Sequence, residues 1–205
     1  MKKKLLIFDL DGVLINSLQN MRYAWESTST RHNLNIPFKF YRSLIGLPIK
    51  NILKNLEIKK KFHTSIIKSY SFFSEKKIKK IKINQNKINF LRKLIKNKYQ
   101  LALYTSKDLY RTKLILGKNK KLFTIILCPN NKLKGKPYPD GINFIVKKLK
   151  IKKKETLFVG DSLYDFYAAR TSKVDYLHAN WGYQKIRINK KFIIKKIENI
   201  NYFLN

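Results

Sequence analysis

From residue 86 onward short apolar runs alternate with amphipathic stretches, and that alternation restricts the chain to a sheet flanked by helices. Residues 86–97 (NKINFLRKLIKN) space their apolar side chains for one helical face, 100–105 (QLALYT) read as a strand, and 108–118 as a helix. A strand over 122–128 (LFTIILC) is followed by a polar loop to Lys136 and by a helix over 140–150 with Asp140 as a candidate cap. A strand over 156–161 (TLFVGD), a helix over 162–171, a short strand over 174–178 and a last helix over 189–199 complete the series. An earlier strand is expected over 3–9, an apolar run bounded by the turn at Gly12. Strands separated by helices predict an α/β fold, a parallel sheet with helices on both faces.

The stretch 17–85 breaks the rhythm. Residues 17–33 read as a helix with Ser17 at its N-cap, and 38–75 carry helical spacing at Leu53, Leu56, Phe62, Ile66, Ile67 and Tyr70. With no clear strand there, the expectation is a helical subdomain over 17–85 inserted into a core made of 1–16 and 86–205.

The chain carries 46 basic and 12 acidic residues among 205, a formal charge of +34. Such a charge attracts phosphate backbones. Arg supplies only seven of the basic residues, however, and Lys, Ile and Asn recur throughout. Base-reading surfaces favour Arg, so the excess reads as compositional drift that still steers anionic substrates. A hydrophobic content of 44% supports a packed core. The lone cysteine, Cys128, excludes an internal disulfide and fits a reducing compartment. The opening MKKK and apolar run outline a secretory leader, but Asp9 and Asp11 interrupt it and no small-residue cleavage site follows. With no run of 18 apolar residues either, a cytoplasmic, soluble chain without a membrane partner is expected, monomeric or homodimeric.

Acid placement is the sharpest functional signal. The seven aspartates are 9, 11, 108, 140, 161, 165 and 175, and four of them fall in FDLDGVL and FVGDSLYD, each at the carboxyl end of an expected strand. Open α/β sheets bind ligands outside that end. Asp9 and Asp11, two apart on extended chain, can point to one side, and Asp161 and Asp165, four apart at a helix start, share a face. Two carboxylates about 4 Å apart repel by roughly 4 kcal/mol at an effective dielectric of 20. A hard divalent cation with oxygen ligands relieves that repulsion, and Mg²⁺ is the cation that also binds substrate phosphate. Taken singly, either motif is also a turn with a helix cap. His32, His63 and His178 stand isolated and are not read as ligands.

With these residues in view, FDLDGVL resembles motif I of the haloacid dehalogenase-like (HAD) superfamily, LALYTSKD motif II, KGKPYPD motif III and FVGDSLYDFYAA motif IV, in the expected order over residues 5–169. A helical insert between the first two is similar to the cap of the subgroup containing phosphoglycolate phosphatase and β-phosphoglucomutase. The resemblance implies a Rossmann-like core with strand order 3-2-1-4-5 and a small α-helical cap inserted after the first strand. It implies Asp9 as nucleophile and Asp11 as general acid and base, with Thr105 and Lys136 holding phosphoryl oxygens. Backbone N–H groups of Leu10 and Ser106 would add donors, and Asp9, Asp161, the Asp11 carbonyl and Asp165 would surround Mg²⁺. In the cap stretch YRSLIGLPIK, Arg42, Gly46 and Lys50 are candidate specificity residues, and Trp181 is either a pocket-rim or a packing residue. One departure is Asn16, where the subgroup commonly carries an acid before the serine.

The expected activity is Mg²⁺-dependent hydrolysis of a small phosphorylated metabolite, phosphoglycolate before sugar phosphates and nucleoside monophosphates. The alternatives are a sugar-phosphate mutase, or a basic nucleic-acid-binding protein on the same fold without specific base reading.

Overall fold

The computed structural model describes residues 2–130 and 132–205. Six parallel strands form one sheet in the order β3-β2-β1-β4-β5-β6: β1 (Leu5–Phe8), β2 (Gln100–Tyr104), β3 (Ile125–Leu127), β4 (Thr156–Gly160), β5 (Asp175–Ala179) and β6 (Ile193–Ile194). β1 lies at the centre and pairs in register with both neighbours, Phe8 opposite Leu103 on one side and Val159 on the other. The topology therefore reverses direction at β1, and the carboxyl ends of β1, β2 and β4 lie side by side.

Strand periodicity divides the core into two layers. Leu6 and Phe8 join Leu101, Leu103, Leu157 and Val159 on one face, whereas Leu5 and Ile7 join Ala102, Tyr104 and Phe158 on the other. The first face is covered by α5 (Gln85–Lys96) and α6 (Leu109–Leu116) through Leu91, Leu94, Ile115 and Leu116. The second is covered by α7 (Asp140–Leu149) and α8 (Leu163–Ser172) through Ile142, Ile145, Ala168 and Ala169. Both faces of β1 are buried, which is why its sequence LLIF is a continuous apolar run and not an alternating one.

Between β1 and α5 lie α1 (Leu18–Arg31), α2 (Phe38–Ser43), α3 (Ile49–Asn55) and α4 (His63–Lys76). They share a third cluster centred on Trp25, whose ring stacks on Tyr41 at 4.7 Å and whose Nε1 donates to the Ile36 carbonyl. Ile78, Ile81 and Ile83, at the end of the 17–85 span, pack instead with the first core layer. No helix among the described residues is long and apolar enough to cross a membrane.

Three local expectations change. The stretch 189–199 is not an α-helix: a 3-10 turn (Lys190–Phe192) leads into the edge strand β6 and then into a 3-10 segment, Ile197–Phe203. Ile194, Ile197, Ile200 and Phe203 recur every third residue, the spacing that stacks side chains on a 3-10 helix. Ser17 stands at the N-cap of α1 but makes no capping bond; its hydroxyl is committed to Asp11. Asp140 is the first residue of α7, with Pro139 at the cap position.

Phe8 is fully buried in the first layer. Replacing it by Ala is expected to cost about 3–5 kcal/mol, read as a lower urea midpoint at unchanged slope. A loss under about 1 kcal/mol, the size of an ordinary substitution, would contradict tight packing around β1.

Candidate active site

The last bond of β1 runs from Asp9 N to the Val159 carbonyl at 2.9 Å, and the chain then turns, with Leu14 N and Ile15 N both bonded to the Leu10 carbonyl. The turn places Gly12 at φ +80°, and a Cβ there would lie 2.0 Å from Asp161 Oδ2. Only glycine meets both conditions without strain. Beyond β4, Ser162 caps α8: its Oγ accepts from Asp165 N, and Asp165 Oδ2 in turn accepts from the N–H groups of Asp161 and Ser162 and from Ser162 Oγ. This capping box fixes Asp165 at the helix N-terminus, where the dipole favours a carboxylate.

Lys136, on the loop after β3, is 1% exposed. Its Nζ lies 2.8 Å from Asp9 Oδ1 and 2.6 Å from Asp165 Oδ1. Asp9, Asp161 and Asp165 each offer a carboxylate oxygen within 4.8 Å of one another, all buried. Three carboxylates around one ammonium leave two formal negative charges in a buried space. Burial pushes Asp9 up to about 7; Lys136 opposes that shift, while Asp165 and Asp11 add to it. Asp161 is likewise raised well above the usual carboxylate range, first by burial and then by Asp165 and Asp9. An all-oxygen donor set with two uncompensated charges fits a hard divalent cation such as Mg²⁺.

Asp11 opens on the same cavity but faces a different cation. Its Oδ1 lies 3.3 Å from Lys107 Nζ and accepts from Ser17 Oγ. Regular strand alternation has ended by this point, so the two acids share the cavity without sharing a partner. Thr105, 1% exposed at the end of β2, lines the cavity and accepts from Lys107 N at 3.2 Å. Leu10 has its side chain in the core, which leaves only its backbone to address a ligand. Ser106 Oγ donates to the Gly46 carbonyl at 2.6 Å, joining the core to the helical insert.

The cavity measures about 990 Å³ and runs from Asp9, Asp11 and Asp161 to Lys50 and Lys54 of α3. Gly46 and Lys50 line it; Arg42 is exposed and does not. Gly46, at φ +111°, passes so close to Ser162 that a Cβ would meet its Oγ at 2.7 Å. Gln184 reinforces the closure, with Nε2 donating to the Ile45 carbonyl at 2.9 Å and Oε1 accepting from Leu163 N. Trp181 packs beside the first layer and donates to the Val13 carbonyl, away from the cavity wall.

Sequence reasoning missed Lys107, Arg111 and Tyr183. Lys107 was one lysine among many, and only its place two residues after Thr105 marks it. Tyr183 N donates to Asp161 Oδ2 at 2.6 Å, and its hydroxyl accepts from Ser17 N at 2.6 Å. It thus joins the acidic cluster to the start of the insert, from a loop no strand motif announced.

A family model described as haloacid dehalogenase-like hydrolase matches residues 6–179. A protein of Caldanaerobacter subterraneus provisionally named pyrophosphatase PpaX is 28% identical over 208 residues, spanning 100% of this chain and 91% of that protein. The phosphoglycolate phosphatase of Haemophilus influenzae is 26% identical over 199 residues, spanning 88% of this chain and 87% of its own. The crystal structure of a hydrolase from Pseudomonas syringae shares the fold, with a TM-score of 0.86 at 23% identity over 98% of each chain.

The raised Asp9 value gives a signed pH dependence. Because Asp9 binds its proton more tightly in the folded chain than at the ordinary value of 3.8, protonation favours folding, and that contribution is lost as pH rises through about 7. Chelator-treated protein is expected to lose stability relative to Asp9→Asn between about pH 5 and pH 8. A difference in unfolding free energy that stays flat over that range would contradict the assignment.

Proposed function

Because the chain belongs to the haloacid dehalogenase-like hydrolase family, we propose that it is a Mg²⁺-dependent phosphatase that hydrolyses a small phosphate monoester through an aspartyl phosphate on Asp9. The observation that carries this reading is the buried cluster of Asp9, Asp161 and Asp165 around Lys136, opening through Asp9 and Asp161 onto a cavity lined with lysines.

Asp9 attacks phosphorus, forming a carboxyl–phosphorus bond as the bond to the leaving oxygen breaks. Asp11, held by Ser17 and Lys107 at the cavity wall, gives its proton to that oxygen. The resulting carboxylate then takes a proton from water as the water oxygen attacks phosphorus, releasing phosphate and restoring Asp9. Lys136 offsets the charge of Asp9 and Asp165 from behind the cavity wall, while the Thr105 hydroxyl and the Leu10 and Ser106 backbone N–H groups serve as donors to phosphoryl oxygens. Asp9, Asp161, Asp165 and the Asp11 carbonyl would hold Mg²⁺, which supplies neutralisation of phosphoryl charge when bound.

Phosphoglycolate is the leading substrate, in line with the name of the Haemophilus relative. Pyrophosphate is the second, in line with the name of the Caldanaerobacter relative. Both are small anions whose cleavage needs the same nucleophile and proton donor.

Phosphate release from a panel of monoesters and pyrophosphate is expected to require Mg²⁺ and to stop with chelator. Asp9→Asn should lower the rate by about 10³-fold or more, and Asp11→Asn by about 10²- to 10⁴-fold. Unchanged release by Asp9→Asn would refute the mechanism, and hexose-phosphate isomerisation with little phosphate release would replace hydrolysis by phosphoryl return to substrate.

A further inference from the structure

On the wall of the same cavity, a buried arginine stands with one nitrogen unpartnered. Arg111, on the first turn of α6, is 6% exposed and lines the cavity. Its Nε donates to Asp108 Oδ2, while Nη1 is fully buried with no hydrogen-bond partner. The guanidinium carbon sits 5.3 Å from the centroid of the Tyr70 ring, and Tyr41 donates to the Tyr70 hydroxyl at 2.7 Å. Both phenols line the same cavity. A guanidinium presents five donors in a rigid planar fork suited to carboxylate and phosphate, and here Nη1 is left without a partner in the protein.

The surroundings select the sign of the missing partner. Lys50, Lys54 and Lys107 line the cavity together with Arg111, and Asp11 and Asp108 face these bases already paired, Asp11 with Lys107 and Asp108 with Arg111. Lys50, Lys54 and Lys134, which also lines the cavity, and Nη1 of Arg111 remain for a ligand. An apolar tail would leave Nη1 unsatisfied, and a neutral acceptor would leave the lysines unbalanced; an anionic tail satisfies the one and balances the others.

We propose that Arg111 is a specificity-determining residue that receives a second anionic group of the substrate, carboxylate or phosphoryl, while the reacting phosphoryl group sits at Asp9. This deepens the phosphatase reading and rests on it for the position of the first phosphoryl group. Discrimination then comes from a core helix as well as from the insert, whose Gly46 and Lys50 line the same cavity. The Tyr70 ring positions the guanidinium, and Tyr41 holds Tyr70 through the bond between their hydroxyls.

The test is calorimetric titration of the full chain in Mg²⁺ with three phosphonates. 3-Phosphonopropionate and propylphosphonate differ only in a carboxylate against a methyl at the far end, and methylenediphosphonate carries a second phosphoryl group. At least one of the doubly charged probes is expected to bind about ten-fold or more tighter than propylphosphonate. In Arg111→Gln that ratio should fall towards one, and Arg111→Lys should keep part of it. Whichever probe shows the dependence identifies the second group. A ratio equal in wild type and Arg111→Gln, or a parallel weakening of all three ligands such as a merely structural role produces, would overturn the subsite while leaving the phosphatase reading standing. Failure of wild type to bind any of the three would overturn both.

Discussion

The site depends on one buried ammonium. Lys136 lies between Asp9 and Asp165, and without it two buried carboxylates would face each other unmatched. Removing one partner of such a pair typically costs about 3–5 kcal/mol, because a charge is left buried and unmatched. The sheet order makes this convergence unavoidable: β1 and β4 are neighbours, so Asp9 and Asp161 leave adjacent strand ends, and the capping box of α8 holds Asp165 behind them. Lys136 reaches them from the loop after β3, two strands away from β1. Two formal negative charges still remain, a balance that a hard divalent cation fits.

Closure of the cavity is a backbone property as much as a side-chain one. Gly12 lets the turn after β1 pass against Asp161, and Gly46 lets the insert pass against Ser162. Ser106, Gln184 and Tyr183 then tie the two parts together with hydrogen bonds whose acceptors or donors are backbone groups. The insert is therefore held by atoms that the sequence does not specify, which leaves its cavity-lining side chains free to serve the substrate. Tyr183 touches both Asp161 and the first residue of the insert, so a cation drawn to Asp161 acts on the same bond network that orients Ser17 and, through it, Asp11.

Much of this was legible beforehand, for physical reasons that differ by element. The strand β1 and the helix α5 carry unbroken patterns, one apolar throughout and one amphipathic, and both appear within a few residues of the expected bounds. FDLDGVL and FVGDSLYD stood out because aspartate is rare in this chain, so four of seven in two strand-end motifs are conspicuous. Lys107 and Arg111 were hidden by the opposite circumstance: in a chain with 46 basic residues, only three-dimensional burial distinguishes the functional cation from the solvated one. The segment after β5 departs from the expected helix because its apolar residues recur every third position, and because β6 exists only through its partner strand. Arg42 lay in the right stretch but points away from the cavity, a matter of helix phase in a six-residue helix too short to show periodicity.

The central claim is that Asp9, seated on Lys136, is the group that becomes phosphorylated. Acid quenching of the Mg²⁺-loaded enzyme during turnover of phosphoglycolate, followed by peptide mass analysis, tests it directly. The account predicts one added phosphoryl group on the peptide containing Asp9, absent from Asp9→Asn and both formed and lost more slowly in Asp11→Asn, which lacks the acid of the first step and the base of the second. Steady phosphate release with that peptide unmodified at every quench time, in wild type and in Asp11→Asn alike, would contradict it and require direct attack by water.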